Sequence, residues 1–172
     1  MNYILTDKEP KLPLKDFEDI SAIPHGSYNE KAISAFIADT AAKLGLYARV
    51  DERNNVVVKK PATPGYEHLP ALLLQAHVDM VNEKNSDSDH DFTKDGLKLI
   101  LEGNLLRAAG TTLGADDGKG VAYMLALMDS DSDTFPHPPL EFLFTTGEEV
   151  GFWGAMALDC SDITARRMIG LD

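Results

Sequence analysis

The chain has 172 residues, of which 44% are hydrophobic and 26% are charged, as expected for one globular domain with a sizeable core. Its 28 acidic and 16 basic residues leave a net charge of −12, which repels nucleic-acid phosphates and anionic membrane surfaces. We therefore expect neither nucleic acid nor a membrane among its partners.

The cysteine content and the first residues indicate a compartment. A single cysteine, Cys160, excludes an internal disulfide, which fits a reducing environment. The start, MNYILTDKEPKLPLKD, lacks a basic segment followed by an apolar one, so we predict no signal peptide. No apolar run approaches the ~18–20 residues that a membrane span needs. These features predict a cytoplasmic protein.

The spacing of apolar residues predicts two helices near the start of the chain. The first run covers 14–24 and ends at Pro24, which cannot continue a helix. The second begins with Ser27, three residues before Glu30, in the arrangement of a capping box, and it stops near Gly45. We therefore expect two helices before the first strand.

Strands and helices are predicted to alternate through the rest of the chain. A buried helix is expected at 121–129 and a short helix at 151–159. Strands are expected at 47–53, 55–61, 71–74, on both sides of 102–104, at 140–146 and at 166–172. The first two strands are predicted to form a hairpin that turns around Asn54 and Asn55. This order predicts an α/β fold with a mixed, mostly parallel sheet between helices. The continuous apolar run 71–74 is typical of a strand that is buried on both faces.

Acidic residues or a histidine lie at the ends of several predicted elements. In open α/β sheets, ligands bind beyond the carboxyl ends of the strands, so these residues are candidates for one shared site. In chain order they are His77 and Asp79, Asp116 and Asp117, Glu148 and Glu149, and Asp172.

The tripeptide His77-Val78-Asp79 has two interpretations. Residues two apart in a strand point to the same face, so Asp79 can orient His77 while the other ring nitrogen binds a metal. A core histidine with a hydrogen-bonded neighbour is the alternative, and the tripeptide by itself does not decide between them.

The glycine-rich stretch GTTLGADDGKG does not fit the known phosphate loops. Three residues separate Gly114 from Gly118, where a P-loop needs four before its second glycine, and Tyr123 stands where a dinucleotide fingerprint needs a third glycine. Two aspartates also repel phosphate, so this loop is either a cation site or an ordinary turn. The acidic run 129–133 lacks the glycine and final glutamate of a calcium loop and is interpreted as a solvated loop.

Taken together, LLLQAHVDMV, GTTLGADDGKG, FLFTTGEEVG and the closing GLD resemble the di-zinc superfamily of aminopeptidases, carboxypeptidases and aminoacylases. The longer segments HVDMVNEKNSDSDHDFTKDG and ISAIPHGSYNEKAISAFI are similar to the aminoacyl-histidine dipeptidases, also called Xaa-His or cytosolic non-specific dipeptidases. The resemblance covers essentially the whole chain. It implies a zinc-dependent exopeptidase fold and metal-dependent hydrolysis of dipeptides, with Xaa-His or broad specificity.

The resemblance also implies a set of metal ligands. His77, Asp116 and Asp172 match the ligands of a first zinc ion. Asp116 matches a carboxylate that bridges to a second zinc ion, and Glu149 matches a ligand of that second ion. Mn²⁺ or Co²⁺ also suits histidine and carboxylate ligands.

Two further residues receive catalytic roles from the resemblance. Asp79 matches the acid that orients His77. Glu148 matches the general base, which takes a proton from a metal-activated water and passes it to the leaving amine. This assignment gives the two neighbouring glutamates different tasks, with Glu149 on the metal and Glu148 left free for the proton.

Some parts of the resembled enzymes are missing from these residues. Those enzymes have one more histidine on the second zinc, an inserted lid or dimerisation domain, and further catalytic-domain sequence. Residues 1–172 are therefore expected to form the N-terminal portion of the catalytic domain of a longer enzyme. The resemblance is compatible with a homodimer as the assembly of that full-length enzyme. By themselves they are expected to bind one zinc better than two and to be weakly active or inactive.

Two alternative functions stay open. Another di-zinc amidohydrolase, such as an aminoacylase or a tripeptidase, is expected to carry the same motifs, because these enzymes differ mainly in the lid. A catalytically inactive metal-binding fragment is the second alternative, since the last histidine ligand is missing. Glu148 argues against it, because a pure binding module has no need for a second glutamate beside Glu149.

Overall fold

The computed structural model describes residues 3–131 and 133–172. Within them the helices are α1 (Lys11–Ser21), α2 (Lys31–Lys43), α3 (Ala115–Asp129) and α4 (Trp153–Met156). The strands are β1 (Tyr47–Val50), β2 (Val56–Lys60), β3 (Leu72–His77), β4 (Leu99–Glu102), β5 (Leu105–Ala108), β6 (Leu140–Thr145) and β7 (Met168–Gly170). None of the helices in this part of the chain has the length and apolar character needed to cross a bilayer.

Five strands form one mixed sheet in the order β1-β2-β6-β3-β7. The strands β6, β3 and β7 run parallel to one another, whereas β2 pairs antiparallel with β6 and β1 antiparallel with β2. The strands β4 and β5 form a separate antiparallel hairpin. This mixed α/β architecture confirms the predicted fold class.

The main core lies between one face of the sheet and helices α1, α2 and α3. Phe142 and Phe144 of β6 are fully buried there, and each buried phenylalanine contributes roughly 2–3 kcal/mol of hydrophobic stabilisation. On the opposite face, a smaller cluster of Val57, Leu73 and Leu143 is covered by the segment 158–165. Because β6 has neighbours on both faces and both edges, all six of its residues are buried.

The first helix differs slightly in its bounds from the sequence-based prediction. It spans Lys11–Ser21 rather than 14–24. Pro13 falls in its first turn, where a main-chain N–H has no partner inside the helix, so the proline does not delay the start.

The start of α2 contradicts the predicted capping box. This helix begins after Glu30 without a side-chain cap. The Ser27 hydroxyl donates instead to a carboxylate oxygen of Asp79, 2.8 Å away, and Glu30 accepts a hydrogen bond from the N–H of Tyr28. The prediction was wrong because the fold brings a charged acceptor to Ser27, and such hydrogen bonds are stronger than neutral ones.

The acidic run 129–133 belongs to the connection between α3 and β6. Asp129 is the last residue of α3, and Ser132 lies outside the described residues. The N–H of Asp133 donates to the side chain of Asp131 at 2.9 Å, as in a local turn.

Candidate metal centre

The carboxyl ends of three parallel strands meet at one edge of the sheet. His77, the last residue of β3, pairs with Thr145, the last residue of β6. Beyond the end of β7, the Leu171 N–H donates to the carbonyl of Gln75 at 2.9 Å, which brings Asp172 to the same edge. The structure therefore places three of the predicted strand-end positions side by side, as the parallel arrangement requires.

The first turn of α3 brings a fourth position to this edge. Gly114 precedes the helix with φ of 65°, and a Cβ there would lie 2.9 Å from the sulfur of Met80, so both conformation and space require glycine. Asp116 and Asp117 depart from helical dihedral angles. The side chain of Asp117 is fully buried and accepts the N–H of Gly120, whereas the side chain of Asp116 is 70% exposed and faces the site.

The two glutamates lie in a tight turn, residues 146–151, which we call the glutamate turn. Gly147 and Gly151 have φ of 62° and 101°, respectively, conformations that favour glycine. The main-chain N–H of Glu148 donates to Oδ1 of Asp79 at 3.0 Å, and that of Glu149 donates to Oδ2 of the same carboxylate at 3.3 Å. Asp79 thus ties the glutamate turn to the end of β3.

The His77 imidazole is buried and contacts acceptors through both nitrogens. Its Nδ1 lies 2.9 Å from the main-chain carbonyl of Asp79 and 3.5 Å from the carboxylate of that residue. Its Nε2 lies 3.0 Å from Oδ1 of Asp116 and 3.9 Å from Oε2 of Glu148. With Nδ1 engaged by Asp79, Nε2 is the atom that faces the carboxylates of Asp116 and Glu148.

The surroundings of His77 favour positive charge at this position. Burial lowers the pKa of the imidazole, but hydrogen bonds with Asp79 and Asp116, together with the charges of Asp79 and Glu148, raise it to about 9. Burial raises the pKa of the Asp79 carboxyl, but hydrogen bonds from His77, the Glu148 N–H and Ser27 outweigh this and lower it. An anionic Asp79 beside a cationic centre is the arrangement that both shifts describe.

The pKa of the Glu149 carboxyl is raised, in contrast to that of Asp79. Burial is the main cause, and the charges of Asp116, Glu148 and Asp79 act in the same direction, although His77 opposes them. Several carboxylates therefore repel one another around a single imidazole, and a divalent cation would relieve that repulsion.

Two groups of side chains are spaced to hold a metal ion. In one, the ligand atoms of His77, Asp116 and Asp172 all lie within 4.8 Å of one another, and in the other those of His77, Glu148 and Glu149 do. The first group unites the three residues that the sequence predicts for the first zinc. Imidazole nitrogen and carboxylate oxygens are zinc ligands, and two ligands of tetrahedral zinc stand about 3.3 Å apart, so this donor set fits such an ion.

The predicted second zinc ion has fewer candidate ligands. Glu149 groups with His77 and Glu148 rather than with Asp116, within the described residues. The assignment of Glu149 as a ligand and of Glu148 as a base therefore stays a prediction, because both carboxylates face the same imidazole.

Sequence reasoning missed two residues that hold the site together. Asn55, interpreted as part of a hairpin turn, is buried; its side-chain oxygen accepts the Thr146 N–H at 3.0 Å, and its amide donates to the carbonyl of Gly154. Ser27, interpreted as a helix cap, donates to Asp79. Neither residue has a sequence signal that separates these roles from a local turn or cap.

Comparison with known proteins identifies the family of this chain. Residues 55–164 match the sequence profile of peptidase family M28, which is well over half of the chain. The chain belongs to peptidase family M28. Within this M28 segment lie His77, Asp79, Asp116 and both glutamates, whereas Asp172 lies just beyond it.

Individual relatives match almost the whole chain. The chain is 42% identical over 161 residues to the cytosol non-specific dipeptidase of Escherichia coli, covering 93% of this chain and 33% of that protein. The structure is similar to aminoacylhistidine dipeptidase from Vibrio alginolyticus, with a TM-score of 0.91, 40% identity and coverage of 96% of this chain and 34% of that one.

A tripeptidase from Staphylococcus aureus has the same fold at lower similarity, with a TM-score of 0.78, 26% identity and coverage of 94% of this chain and 43% of that one. This M28 chain therefore spans about a third of the length of the two dipeptidases that it matches.

Proposed function

We propose that the protein to which these residues belong is a metal-dependent dipeptidase. The observation that carries this proposal is the convergence of His77, Asp116 and Asp172 at the carboxyl edge of the sheet, with Glu148 3.9 Å from the same imidazole. This combination offers three ligand side chains and one further carboxylate. Membership of a peptidase family supports hydrolysis of a peptide bond as the reaction.

The residues divide the work of hydrolysis between holding an ion and moving a proton. His77, Asp116 and Asp172 would hold a first zinc ion, and Asp116 with Glu149 would contribute to a second. Zinc, when bound, polarises the peptide carbonyl and lowers the pKa of a water molecule. His77 would bind the first zinc ion through Nε2, because Asp79 engages Nδ1.

Glu148 is the proposed general base. Its carboxylate is only 23% exposed, and its main chain is fixed by the hydrogen bond to Asp79. A carboxylate held in this way can accept a proton from the attacking water and deliver it to the leaving amine. Glu149, one residue further along the same turn, is the proposed ligand.

The substrate class comes from the relatives. Two of them are a cytosol non-specific dipeptidase and an aminoacylhistidine dipeptidase, which supports dipeptides, including Xaa-His dipeptides, as substrates in the cytoplasm. A second candidate is a tripeptidase, which the similarity to the Staphylococcus aureus enzyme favours. The net charge of −12 supports small peptides rather than nucleic acid or a membrane surface as the partner. We propose a homodimer as the assembly of the complete enzyme.

We also propose that these 172 residues by themselves bind one zinc ion more tightly than a second and hydrolyse dipeptides weakly or not at all. The support is the ligand count, since the first position has three side chains and the second has Asp116 and Glu149. Zinc titration by calorimetry tests this proposal. Two equally tight sites with rapid turnover would contradict it.

The experiment for the main proposal is hydrolysis of a panel of dipeptides, tripeptides and N-acyl amino acids by the complete protein. The protein is first treated with a chelator and then supplied with Zn²⁺, Mn²⁺ or Co²⁺. We expect turnover to return with the metal and to be fastest on dipeptides. Preference for tripeptides would favour the second candidate, and preference for N-acyl amino acids would indicate an aminoacylase.

The variant Glu148→Gln separates catalysis from binding. It removes the proposed base but keeps the size of the side chain, so we expect turnover to fall at least about 100-fold while zinc uptake is retained. Glu149→Gln is the matched variant at the neighbouring position, and we expect it to weaken zinc binding as well. Unchanged turnover in Glu148→Gln would exclude this residue as the base.

A further inference from the structure

The carboxylate of Asp79 receives hydrogen bonds from two separate parts of the chain. Its side chain is fully buried. Two of its donors are the main-chain N–H groups of Glu148 and Glu149 in the glutamate turn, at 3.0 and 3.3 Å. A further donor is the Ser27 hydroxyl, whose hydrogen bond to Oδ2 at 2.8 Å is shorter than either main-chain hydrogen bond. Ser27 comes from the connection between α1 and α2, far from both other segments in sequence.

The main chain around Ser27 is itself fixed against the end of β3. The N–H of Ser27 donates to the carbonyl of Met80, and the N–H of Met80 donates to the carbonyl of His25, both at 3.3 Å. Gly26 and Met80 form an isolated parallel bridge. Residues 25–27 therefore act as a short additional partner of the chain that follows His77, and this pairing brings the Ser27 hydroxyl to Asp79.

We propose that Ser27 is a positioning residue of the metal centre, which acts through Asp79. The proposal rests on the proposed function, because it concerns the same His77 and the same glutamate turn. A carboxylate can rotate about its Cβ–Cγ bond, and the hydrogen bond from Ser27 restrains that rotation. With Oδ2 held, Oδ1 stays opposite the Glu148 N–H and 3.5 Å from Nδ1 of His77.

Loss of the Ser27 hydroxyl has a defined consequence in this arrangement. One lone pair of a buried carboxylate becomes unsatisfied, which favours a turned carboxylate that no longer serves both the imidazole and the glutamate turn. Hydrogen-bond partners behind metal ligands typically change metal affinity by about 10–100-fold when they are removed. Because Ser27 is one residue further from the ion than Asp79, we place its effect near the lower limit.

Three variants test the proposal. Ser27→Ala removes the hydroxyl, and Ser27→Thr keeps it. Ser34→Ala is the control, because the Ser34 hydroxyl likewise donates to an acceptor inside the protein, the carbonyl of Asn54 at 2.6 Å, and not to Asp79. Ser34 is buried and Ser27 is half-buried, so the control removes a hydroxyl that is at least as well enclosed. For each, two quantities are measured at a temperature where all variants are folded: the dissociation constant for zinc, and the hydrogen-exchange rates of the Glu148 and Glu149 amides in chelator-treated protein.

We expect Ser27→Ala to raise the zinc dissociation constant about tenfold. The same variant should also speed exchange of the Glu148 and Glu149 amides several-fold, because their common acceptor is less well held. The amides of Phe142 and Phe144 in β6 should keep their rates. Ser27→Thr should stay within about twofold of the unsubstituted chain, and Ser34→Ala should lower stability without changing zinc affinity or these two exchange rates.

An unchanged zinc dissociation constant in Ser27→Ala overturns the proposal, and so does an equal weakening in Ser34→Ala, which would indicate a general loss of stability. If the unsubstituted chain takes up no zinc, it is the proposed function that fails. The exchange rates of the Glu148 and Glu149 amides then decide alone whether Ser27 holds Asp79 and the glutamate turn, and unchanged rates overturn that role.

Discussion

The Nε2 atom of His77 lies 3.0 Å from Oδ1 of Asp116, although 39 positions separate the two residues in the chain. One is the last residue of a buried strand, and the other belongs to the irregular first turn of α3. The contact exists because α3 packs along β3 and directs its N-terminus to the carboxyl edge of the sheet. A basic atom and an exposed carboxylate thereby face each other, as the proposed ligands of the first zinc ion would.

Zinc should stabilise the chain against unfolding, and Asp172 should contribute to that effect. A ligand at 100 times its dissociation constant stabilises the folded state by about 2.7 kcal/mol. Asp172→Asn should weaken zinc binding at least about tenfold, so the stabilisation at the same zinc concentration falls by about 1.4 kcal/mol. Thermal unfolding with and without zinc measures the difference.

The control for Asp172 is Asp7→Asn, which removes an exposed carboxylate from the N-terminal segment. This variant should keep the full zinc stabilisation. Without zinc, both variants should unfold close to the temperature of the unsubstituted chain, because both side chains are exposed. Equal zinc stabilisation in Asp172→Asn and the unsubstituted chain would remove Asp172 from the ligand set.

Gly147 should tolerate no side chain. A Cβ at this position would overlap Nε1 of Trp153, whose ring also stacks on Tyr28 and lies under Arg53. We therefore expect Gly147→Ala to reduce the free energy of unfolding by about 3 kcal/mol, from the combined effects of backbone strain and displacement of the tryptophan. Urea unfolding measures this loss.

Gly45→Ala is the control for Gly147, because Gly45 has a similar φ of 70° and no neighbouring atom within 4 Å of an added Cβ. It should cost only the backbone strain, about 1 kcal/mol. Equal losses in the two variants would show that the contact with Trp153 contributes nothing.

Lys60 should be a strong contributor to stability through the end of α3. Its ammonium group donates to the carbonyls of Leu127, Met128 and Ser130 at 2.9, 3.1 and 2.7 Å. Burial lowers the pKa of Lys60, although the charges of Asp129 and Asp131 oppose this effect. Lys60→Met keeps the apolar stem but leaves buried carbonyls without a donor, so we expect a loss of about 2 kcal/mol in unfolding free energy.

Lys43→Met provides the comparison for Lys60, since Lys43 is an exposed lysine in the last turn of α2. Its loss should change the unfolding free energy by less than about 0.5 kcal/mol. A similar small effect in Lys60→Met would mean that water replaces the ammonium group at the end of α3.

Asp16 should make stability depend on pH between about 4 and 6. Burial raises the pKa of this carboxyl to about 6, the charges of Asp19 and Asp129 act in the same direction, and Lys15 opposes them. A carboxyl whose pKa is raised in the folded state contributes its full stability below pH 3.8, the ordinary pKa of the group. This contribution is lost as the pH rises through 6. After allowance for solvent screening, we expect a loss of about 1–2 kcal/mol.

Urea unfolding from pH 4 to pH 7 checks the role of Asp16. Asp16→Asn, which cannot ionise, should become more stable relative to the unsubstituted chain as the pH rises over this range. Asp39→Asn, an exposed position on α2, should show no such trend. A constant difference between Asp16→Asn and the unsubstituted chain would contradict the raised pKa.

Much of the fold was predictable because local patterns carry it. The continuous apolar run 71–74 predicted β3, and the mostly apolar residues of 140–146 predicted β6. The hairpin of β1 and β2 followed from two strand-like runs around Asn54 and Asn55. The bounds of α1 were less accurate, because proline is accepted in the first turn of a helix. Pairing β2 antiparallel with β6 was beyond sequence reasoning, since strand order depends on contacts distant in the chain.

The sequence alone determined which residues could form a site in this protein: a histidine and several carboxylates at the ends of apolar strands. Only the tertiary structure decided how they are held. In the structure, Ser27 donates to Asp79 instead of capping a helix, and Asn55 accepts a hydrogen bond from the glutamate turn. Asp116 is exposed, whereas its neighbour Asp117 is buried. The physical reason is that a hydrogen-bond donor satisfies the strongest acceptor within reach, and that acceptor is known only once distant segments have packed.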